Sequence, residues 1–365
     1  MNEVSLSLAF AIRDFPSETE RREKNLSNYD EIGDAVSHKV GVIGGDGIGP
    51  AVIAEGLKVI EAAGVNLEIH NYDLGGERYL RDGTVLPDSV LEEWRDLDVL
   101  YLGAVGTPDV PPGIIERGLL LKMRFELDLY INLRPFIVTG DESNDGHDFM
   151  VIRENTEGTY AGEGGFLRKG TPQEIATQGS VNTRHGVERC IRYAFELAST
   201  REQQHLTLVH KTNVLTFAGD LWERTFHMVG EEYPNIETTY NHVDAACIYF
   251  VENPQRYDVI VTDNLFGDIL TDLGGAISGG IGLASSANLN PEKTSPSMFE
   301  PVHGSAPDIV GTGKANPTAA ILSGALMLDF LNENEAAQKI EKACADPKTQ
   351  SGTTTEIGDA IAAQV

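Results

Sequence analysis

His38-Lys39-Val40-Gly41-Val42-Ile43-Gly44 runs directly into Gly45-Asp46-Gly47-Ile48-Gly49-Pro50, and the reading of this stretch decides the fold. Its first half is apolar enough for a buried strand. Pro50 suits the first turn of a helix, and a helical pattern continues over residues 51–63. A strand, a glycine-rich turn and a helix also open dinucleotide-binding Rossmann domains, where the spacing is G-x-G-x-x-G. Here Pro50 stands where the third glycine is needed, so the spacing argues against a standard Rossmann site. Two readings of the turn stay open: a strand-to-helix connection whose glycines supply positive φ, or a loop that touches a cofactor.

Outward from this stretch, residues 66–72 read as a strand, a helix lies around 91–95, and 99–102 is an apolar run. This β-α-β-α alternation predicts an α/β protein. Residues 149–153, 206–210 and 259–262 read as strands ending in polar residues, a common place for chemistry. Helical patterns cover 187–198, 218–229, 269–280, 318–331 and 335–345, with a last helix near the C-terminus. Residues 296–317 read as a turn-rich stretch. There is no internal repeat and no low-complexity linker. Two lobes with a cleft are expected.

The bulk numbers exclude several classes. With 56 acidic against 28 basic residues the net charge is −28, which repels phosphodiester backbones and anionic membranes, so no nucleic-acid and no membrane partner is expected. No apolar run is long enough to span a bilayer. Three widely spaced cysteines, Cys190, Cys247 and Cys344, suggest no disulfide framework and a reducing, cytoplasmic setting. Residues 1–37 lack a basic n-region and a clear period, and are expected to be a disordered extension.

Several residues carry candidate chemistry. Asp268 and Asp272 stand one helical turn apart, where like charges repel unless a cation joins them. Mg²⁺ or Mn²⁺ prefers such oxygen donors. An acidic pair favoured by a helix N-terminus is an equally good account. Asp244, set among apolar residues, reads alone as a helix cap and together with the other two as a third ligand. Arg124, Arg134 and Arg153 suit a di- or tricarboxylate through paired hydrogen bonds, although each alone reads as a surface ion pair. Lys211, at a strand end, suits a base and Tyr160 a proton donor, against a solvated lysine and a packed tyrosine. The irregular stretch from Phe299 to Pro317 would let backbone N–H groups approach a ring or phosphate. Within it Asp308 would accept hydrogen bonds from both hydroxyls of a ribose and repel a 2′-phosphate.

Together these segments resemble the β-decarboxylating dehydrogenases, the isocitrate/isopropylmalate dehydrogenase family. The resemblance covers about residues 38–345. It is carried by Gly45-Asp46-Gly47-Ile48-Gly49-Pro50, Asn132-Leu133-Arg134-Pro135, Asp263-Asn264-Leu265-Phe266-Gly267-Asp268 and His303-Gly304-Ser305-Ala306-Pro307-Asp308. It implies a two-lobed α/β fold with a mixed β-sheet, not a Rossmann fold. The discontinuous cofactor lobe would comprise 38–129 and 280–365, and the substrate, metal and dimerisation lobe 130–279. It implies oxidative decarboxylation of a 2-hydroxy acid bearing a β-carboxylate, with NAD and Mg²⁺ or Mn²⁺.

By resemblance, Asp244, Asp268 and Asp272 are metal ligands, and Arg124, Arg134, Arg153 and Asp244 bind substrate. Tyr160, Lys211 and Asp244 carry proton transfer. Glu300, His303, Gly304, Ser305, Ala306, Pro307, Asp308, Ile309 and Asn316 bind the cofactor, and Glu116 lies near its nicotinamide. Asp308-Ile309 favours NAD over NADP. The leucines at 119–121 suit a branched alkyl group and so 3-isopropylmalate, in leucine biosynthesis, whereas Lys122 would suit a more acidic substrate. D-malate, tartrate and homoisocitrate are the rival substrates, and a non-catalytic regulatory subunit the remote alternative. The family forms homodimers in which Lys211 and Asp244 serve the partner's site.

Overall fold

The structure, a computed structural model, describes residues 37–138 and 146–365. The expected disordered extension therefore lies outside the described residues, except for Ser37. The described chain forms two compact units. One runs up to Leu127 and resumes at Ile281–Val365; the other is Asp128–Gly280.

In the first unit, β1 (His38–Gly45) leads into α1 (Gly49–Ala62), followed by β2 (Leu67–Asn71), α2 (Gly76–Asp82), α3 (Asp88–Trp94) and β3 (Val99–Ala104). A π-helical turn, Glu116–Leu121, continues as α4 (Lys122–Glu126). With β11 (Ser285–Leu289) and β12 (Ser297–Pro301), the strand order within this unit is β2-β1-β3-β12-β11. The pairing is parallel except where β11 runs antiparallel to β12. Residues 297–301, which the sequence suggested were turn-rich, thus form a strand. Their side chains are mostly buried, so no polar/apolar alternation marks them. Close approach explains why α1 starts at glycine: a Cβ on Gly49 would lie 2.2 Å from Gly44 O and 2.7 Å from Ala104 N.

The core of this unit is α9 (Thr318–Phe330), apolar on every side and almost wholly buried. Around it pack α1, α10 (Asn334–Ala345) and β12, and α11 (Thr354–Ala362) packs on α1. One carboxyl is out of place here. Glu341 of α10 is 7% exposed, and its Oε2 has no hydrogen-bond partner among the described residues. Burial first, then the charge of Asp329 on α9, pushes it up to about 8 from 4.5.

In the unfolded chain Glu341 ionises near its ordinary value, while the folded protein keeps it neutral at pH 7. Its contribution to stability is therefore whole below about pH 4.5 and is lost as pH rises through about 8. The slope is about 1.4 kcal/mol per pH unit. Glu341→Gln is expected to flatten that decline and raise Tm most at pH 8, as calorimetry would show. Equal pH slopes in both proteins would refute it.

In the second unit, β4 (Ile131–Val138) pairs antiparallel with β5 (His147–Glu154). The other strands, β8 (His205–His210), β9 (Glu237–His242) and β10 (Val259–Thr262), are parallel, in the order β4-β5-β10-β8-β9. A separate exposed hairpin joins β6 (Gly164–Leu167) to β7 (Ile175–Gln178). The helices are α5 (Arg184–Thr200), α6 (Thr216–Gly230), α7 (Val243–Glu252) and α8 (Asn264–Ile277). Phe149 anchors an aromatic cluster, 5.4 Å from Phe136 and 5.2 Å from Phe250 between ring centroids. The strands of each unit include both parallel and antiparallel pairs, so the fold is α/β with a mixed β-sheet and not a Rossmann fold. Among the described residues no helix is long and apolar enough to cross a membrane.

Candidate active site

The second unit's candidate residues lie within β4 (Arg134), at the ends of β5 (Arg153) and β8 (Lys211), on a 3₁₀ turn, Thr159–Ala161 (Tyr160), in the first turn of α7 (Asp244) and on α8 (Asp268, Asp272). Asp263, just past β10, caps α8 by accepting the Phe266 N–H at 2.8 Å. Two turns of helix then present Asp268 and Asp272. The helix starts earlier than the apolar pattern at 269–280 suggests, because the cap and not the first apolar residue sets its origin.

Arg153, at the end of β5, is 1% exposed. Its Nη1 donates to Asp268 Oδ1 at 2.6 Å, while Nε and Nη2 donate to Asn264 Oδ1 at 3.0 and 2.7 Å. Tyr160 donates its hydroxyl to Asp268 Oδ2 at 2.8 Å, with the Arg153 guanidinium 5.2 Å from its ring centroid. Arg134 Nη1 donates to Thr271 Oγ1, and Thr271 donates to Gly267 O. Burial, and then the charge of Asp268, pushes the Asp272 carboxyl above its ordinary value. The structure thus brings Arg153, Tyr160 and Asp268 together, with Asp272 close by. Asn264, which holds Arg153 by two bonds, is a site residue whose role no spacing reveals.

Lys211 and Asp244 form a second pair. Lys211 Nζ donates to Asp244 Oδ1 at 2.6 Å, and this hydrogen bond holds the Asp244 carboxyl below its ordinary value. Among the described residues no group of three His, Cys, Asp or Glu side chains is arranged to hold a metal ion. Within one chain Asp244 therefore does not complete a cation site with Asp268 and Asp272. The latter two are hard oxygen donors one turn apart, one charge disfavouring the other, and that donor set fits a divalent cation.

The three candidate arginines divide between the units. Arg124, on α4 in the first unit, is buried with its Nη2 3.6 Å from Glu300 Oε1, which also accepts from Asn288 at 2.8 Å. Lys122 Nζ is taken by Asp88 at 2.7 Å and by Leu86 O at 3.2 Å. Leu119 is fully buried, leaving Leu120 and Leu121 part-exposed. Glu116 Oε2 accepts the Gly113 N–H at 2.8 Å.

The loop after β12 is tied down by the opening motif of the chain. Ile48 N–H donates to Ser305 O at 2.9 Å, and Gly47 sits at φ +59° where a Cβ would lie 2.0 Å from that same oxygen. Asp46, a residue whose role the spacing does not reveal, is buried. It accepts from the N–H groups of Gly76, Glu77 and Gly106 at 2.7, 2.9 and 2.7 Å. Ala306 takes φ +41° before a 3₁₀ turn, Pro307–Ile309, with Asp308 exposed. Asn316, two residues before α9 begins, accepts the Thr318 N–H at 2.9 Å. His303 donates from Nδ1 to Gly304 O at 3.1 Å, while its Nε2 is buried without a partner among the described residues. Burial pushes the imidazole below its ordinary value, so Nε2 is a neutral acceptor waiting for a donor. An unmet acceptor beside Gly304, which has open space over it, fits the amino-bearing base of a dinucleotide.

A mixed α/β fold with an acid–arginine–tyrosine constellation in one unit and a glycine-bearing loop in the other is that of a β-decarboxylating dehydrogenase. The family profile for isocitrate/isopropylmalate dehydrogenases matches residues 39–364, and the chain belongs to that family. It is 56% identical over 344 residues to 3-isopropylmalate dehydrogenase of Thermobifida fusca, covering 90% of this chain and 97% of that one. The 3-isopropylmalate dehydrogenase of Nocardia farcinica is 58% identical over 335 residues, 90% of this chain and the whole of that one. The isocitrate dehydrogenase structure from Methylococcus capsulatus superposes with TM-score 0.82 at 38% identity, covering 90% of this chain and 99% of the other.

Proposed function

We propose that this protein oxidises and decarboxylates 3-isopropylmalate, with NAD as hydride acceptor and Mg²⁺ or Mn²⁺ bound by the carboxylates of Asp268 and Asp272, in leucine biosynthesis. The observation that carries the reading is the Arg153–Asp268–Tyr160 constellation in a chain 56% and 58% identical to two 3-isopropylmalate dehydrogenases. We assign the dinucleotide to the loop of the first unit, and the cation and the substrate carboxylates to the second. Exposed Asp308 and the absence of a cationic partner in Asp308-Ile309 favour NAD over NADP.

When bound, the divalent cation lowers the pKa of the C2 hydroxyl, and the nicotinamide takes the hydride. Arg134 and Arg153 hold substrate carboxylates by paired donors. Lys211, as the neutral amine once its own proton has passed to the Asp244 carboxylate it contacts, takes the C2 hydroxyl proton as hydride leaves C2. The 2-oxo acid so formed carries a carboxylate β to its ketone and loses CO₂, and Tyr160 delivers a proton to C3. One proton is removed and one returned, so the sum is 3-isopropylmalate plus NAD⁺ giving 2-oxoisocaproate, CO₂ and NADH. The occupied ammonium of Lys122 leaves the part-exposed Leu120 and Leu121 as the apolar surface of this helix, which supports a branched alkyl group over a further carboxylate.

Exposed apolar residues on α7 (Ile248, Val251) and α8 (Leu265, Ile269) support a homodimer. Its Lys211 and Asp244 would serve the acid pair of the second copy. The unpaired cysteines support a cytoplasmic setting.

The test is NADH formation with NAD, Mg²⁺ and 3-isopropylmalate beside isocitrate, D-malate and tartrate. Preference for 3-isopropylmalate, lost on chelation, is expected; preference for another acid would overturn the substrate assignment. In the same assay Gly47→Ala, which strains the backbone and presses on Ser305 O, is expected to raise KM for NAD about tenfold with little change in kcat. An unchanged KM would show that the loop does not depend on that contact.

A further inference from the structure

His210 closes β8 and is wholly buried, yet neither ring nitrogen has a hydrogen-bond partner among the described residues. An unmet buried imidazole is costly, so its retention calls for an account. Its ring stacks on Trp222 of α6 at 5.9 Å and meets Phe266 of α8 edge-on at 5.5 Å. The polar group facing it is Asp263, whose Oδ2 lies 3.4 Å from Nε2. A shift of about half an ångström would close this to a charge-assisted hydrogen bond.

The position of this pair gives it a consequence. Side chains alternate along a strand, so an inward His210 sends the following Lys211 the other way, where Nζ reaches Asp244. The register pairs His210 with His242, two residues before Asp244. Asp263 divides its two oxygens: Oδ1 caps α8 and Oδ2 faces the imidazole. One contact thus joins the strand end from which Lys211 departs to the first turn of the helix that carries Asp268 and Asp272.

We propose that His210 is a positioning residue, which acts through Asp263 to fix the β8 end and so aim Lys211 Nζ. This rests on the reading of Lys211 as the base. A general base gains its effect from placement, and a misplacement of about 1 Å costs up to 10²-fold.

The experiment compares His210→Phe, His210→Gln and Asp263→Asn, alone and combined, with Lys211→Met assayed in parallel. Phenylalanine keeps the packing between Trp222 and Phe266; glutamine restores an N–H near Nε2; asparagine still caps a helix. His210→Phe is expected to lose kcat about 10²-fold with KM for both substrates and Tm unchanged. His210→Gln is expected to recover most of the loss, and the Phe/Asn double variant to be no worse than His210→Phe.

A kcat within twofold of the parent in His210→Phe, no recovery with glutamine, or losses that multiply would each overturn the proposal. If His210→Phe does not fold by circular dichroism, the remaining pair decides it: near-parental kcat in His210→Gln beside a reduced kcat in Asp263→Asn supports the proposal, and any other result overturns it. Should Lys211→Met keep its turnover, the base reading itself fails, whatever the His210 variants do.

Discussion

Lys211→Met is expected to lower kcat by about 10²–10⁴-fold, the usual worth of a positioned general base, while NAD binding measured by calorimetry stays intact. Methionine keeps most of the stem volume and removes only the ammonium. That ammonium donates to Asp244 Oδ1 at 2.6 Å, and its hydrogen bond is the first cause holding the Asp244 carboxyl low. The pair lies in the second unit, and the loop carrying His303 and Asp308 in the first. The effect should fall on kcat and kcat/KM alike, as for an interaction made in the transition state. Retention of substantial kcat would remove Lys211 from the chemistry, and equal loss of NAD binding would point to collapse of the fold.

The legible parts of the fold were those with a strong local period. The strand at 259–262 is β10 as written, and the helices at 318–331 and 335–345 match α9 and α10 to within one residue at each end. What escaped were elements whose burial removes the period or whose composition opposes it. β4 contains Pro135, which demotes a strand by sequence rules, yet it pairs along its whole length with β5. The exposed hairpin β6–β7 has glycines where a strand pattern would need side chains. In the candidate site, residue type and spacing named Arg153, Tyr160, Asp268 and Asp272, but not the groups that hold them. Asn264 and Asp46 act through hydrogen bonds to residues 111, 30 and 60 positions away, and such pairings have no signature in a single sequence. The same limit applies to His210, where only the folded chain shows an imidazole facing the cap of α8.

Asp268→Asn is the variant that separates the cation from the hydrogen-bond network, because Asp268 belongs to both. Its two oxygens accept from Arg153 at 2.6 Å and Tyr160 at 2.8 Å, and its charge helps push up the Asp272 carboxyl. Asparagine retains the shape and one acceptor. It leaves Arg153, 1% exposed, with Asn264 but without that carboxylate. Removing one partner of a buried ion pair costs about 3–5 kcal/mol at most. Asp268 is itself 41% exposed, so solvent should reduce that to a small part. The loss of Lewis-acid activation should be larger, on the order of 10³-fold in kcat.

The decisive readout is independent of turnover. A cation at 100 times its Kd stabilises the parent by about 2.7 kcal/mol, a rise of a few degrees in Tm that the variant should lack. Lost activity with a preserved Mn²⁺-dependent rise would instead make Asp268 the anchor of Arg153 and Tyr160, and place the cation elsewhere. A variant that keeps both would show that the repulsion between Asp268 and Asp272 is relieved by the arginines alone.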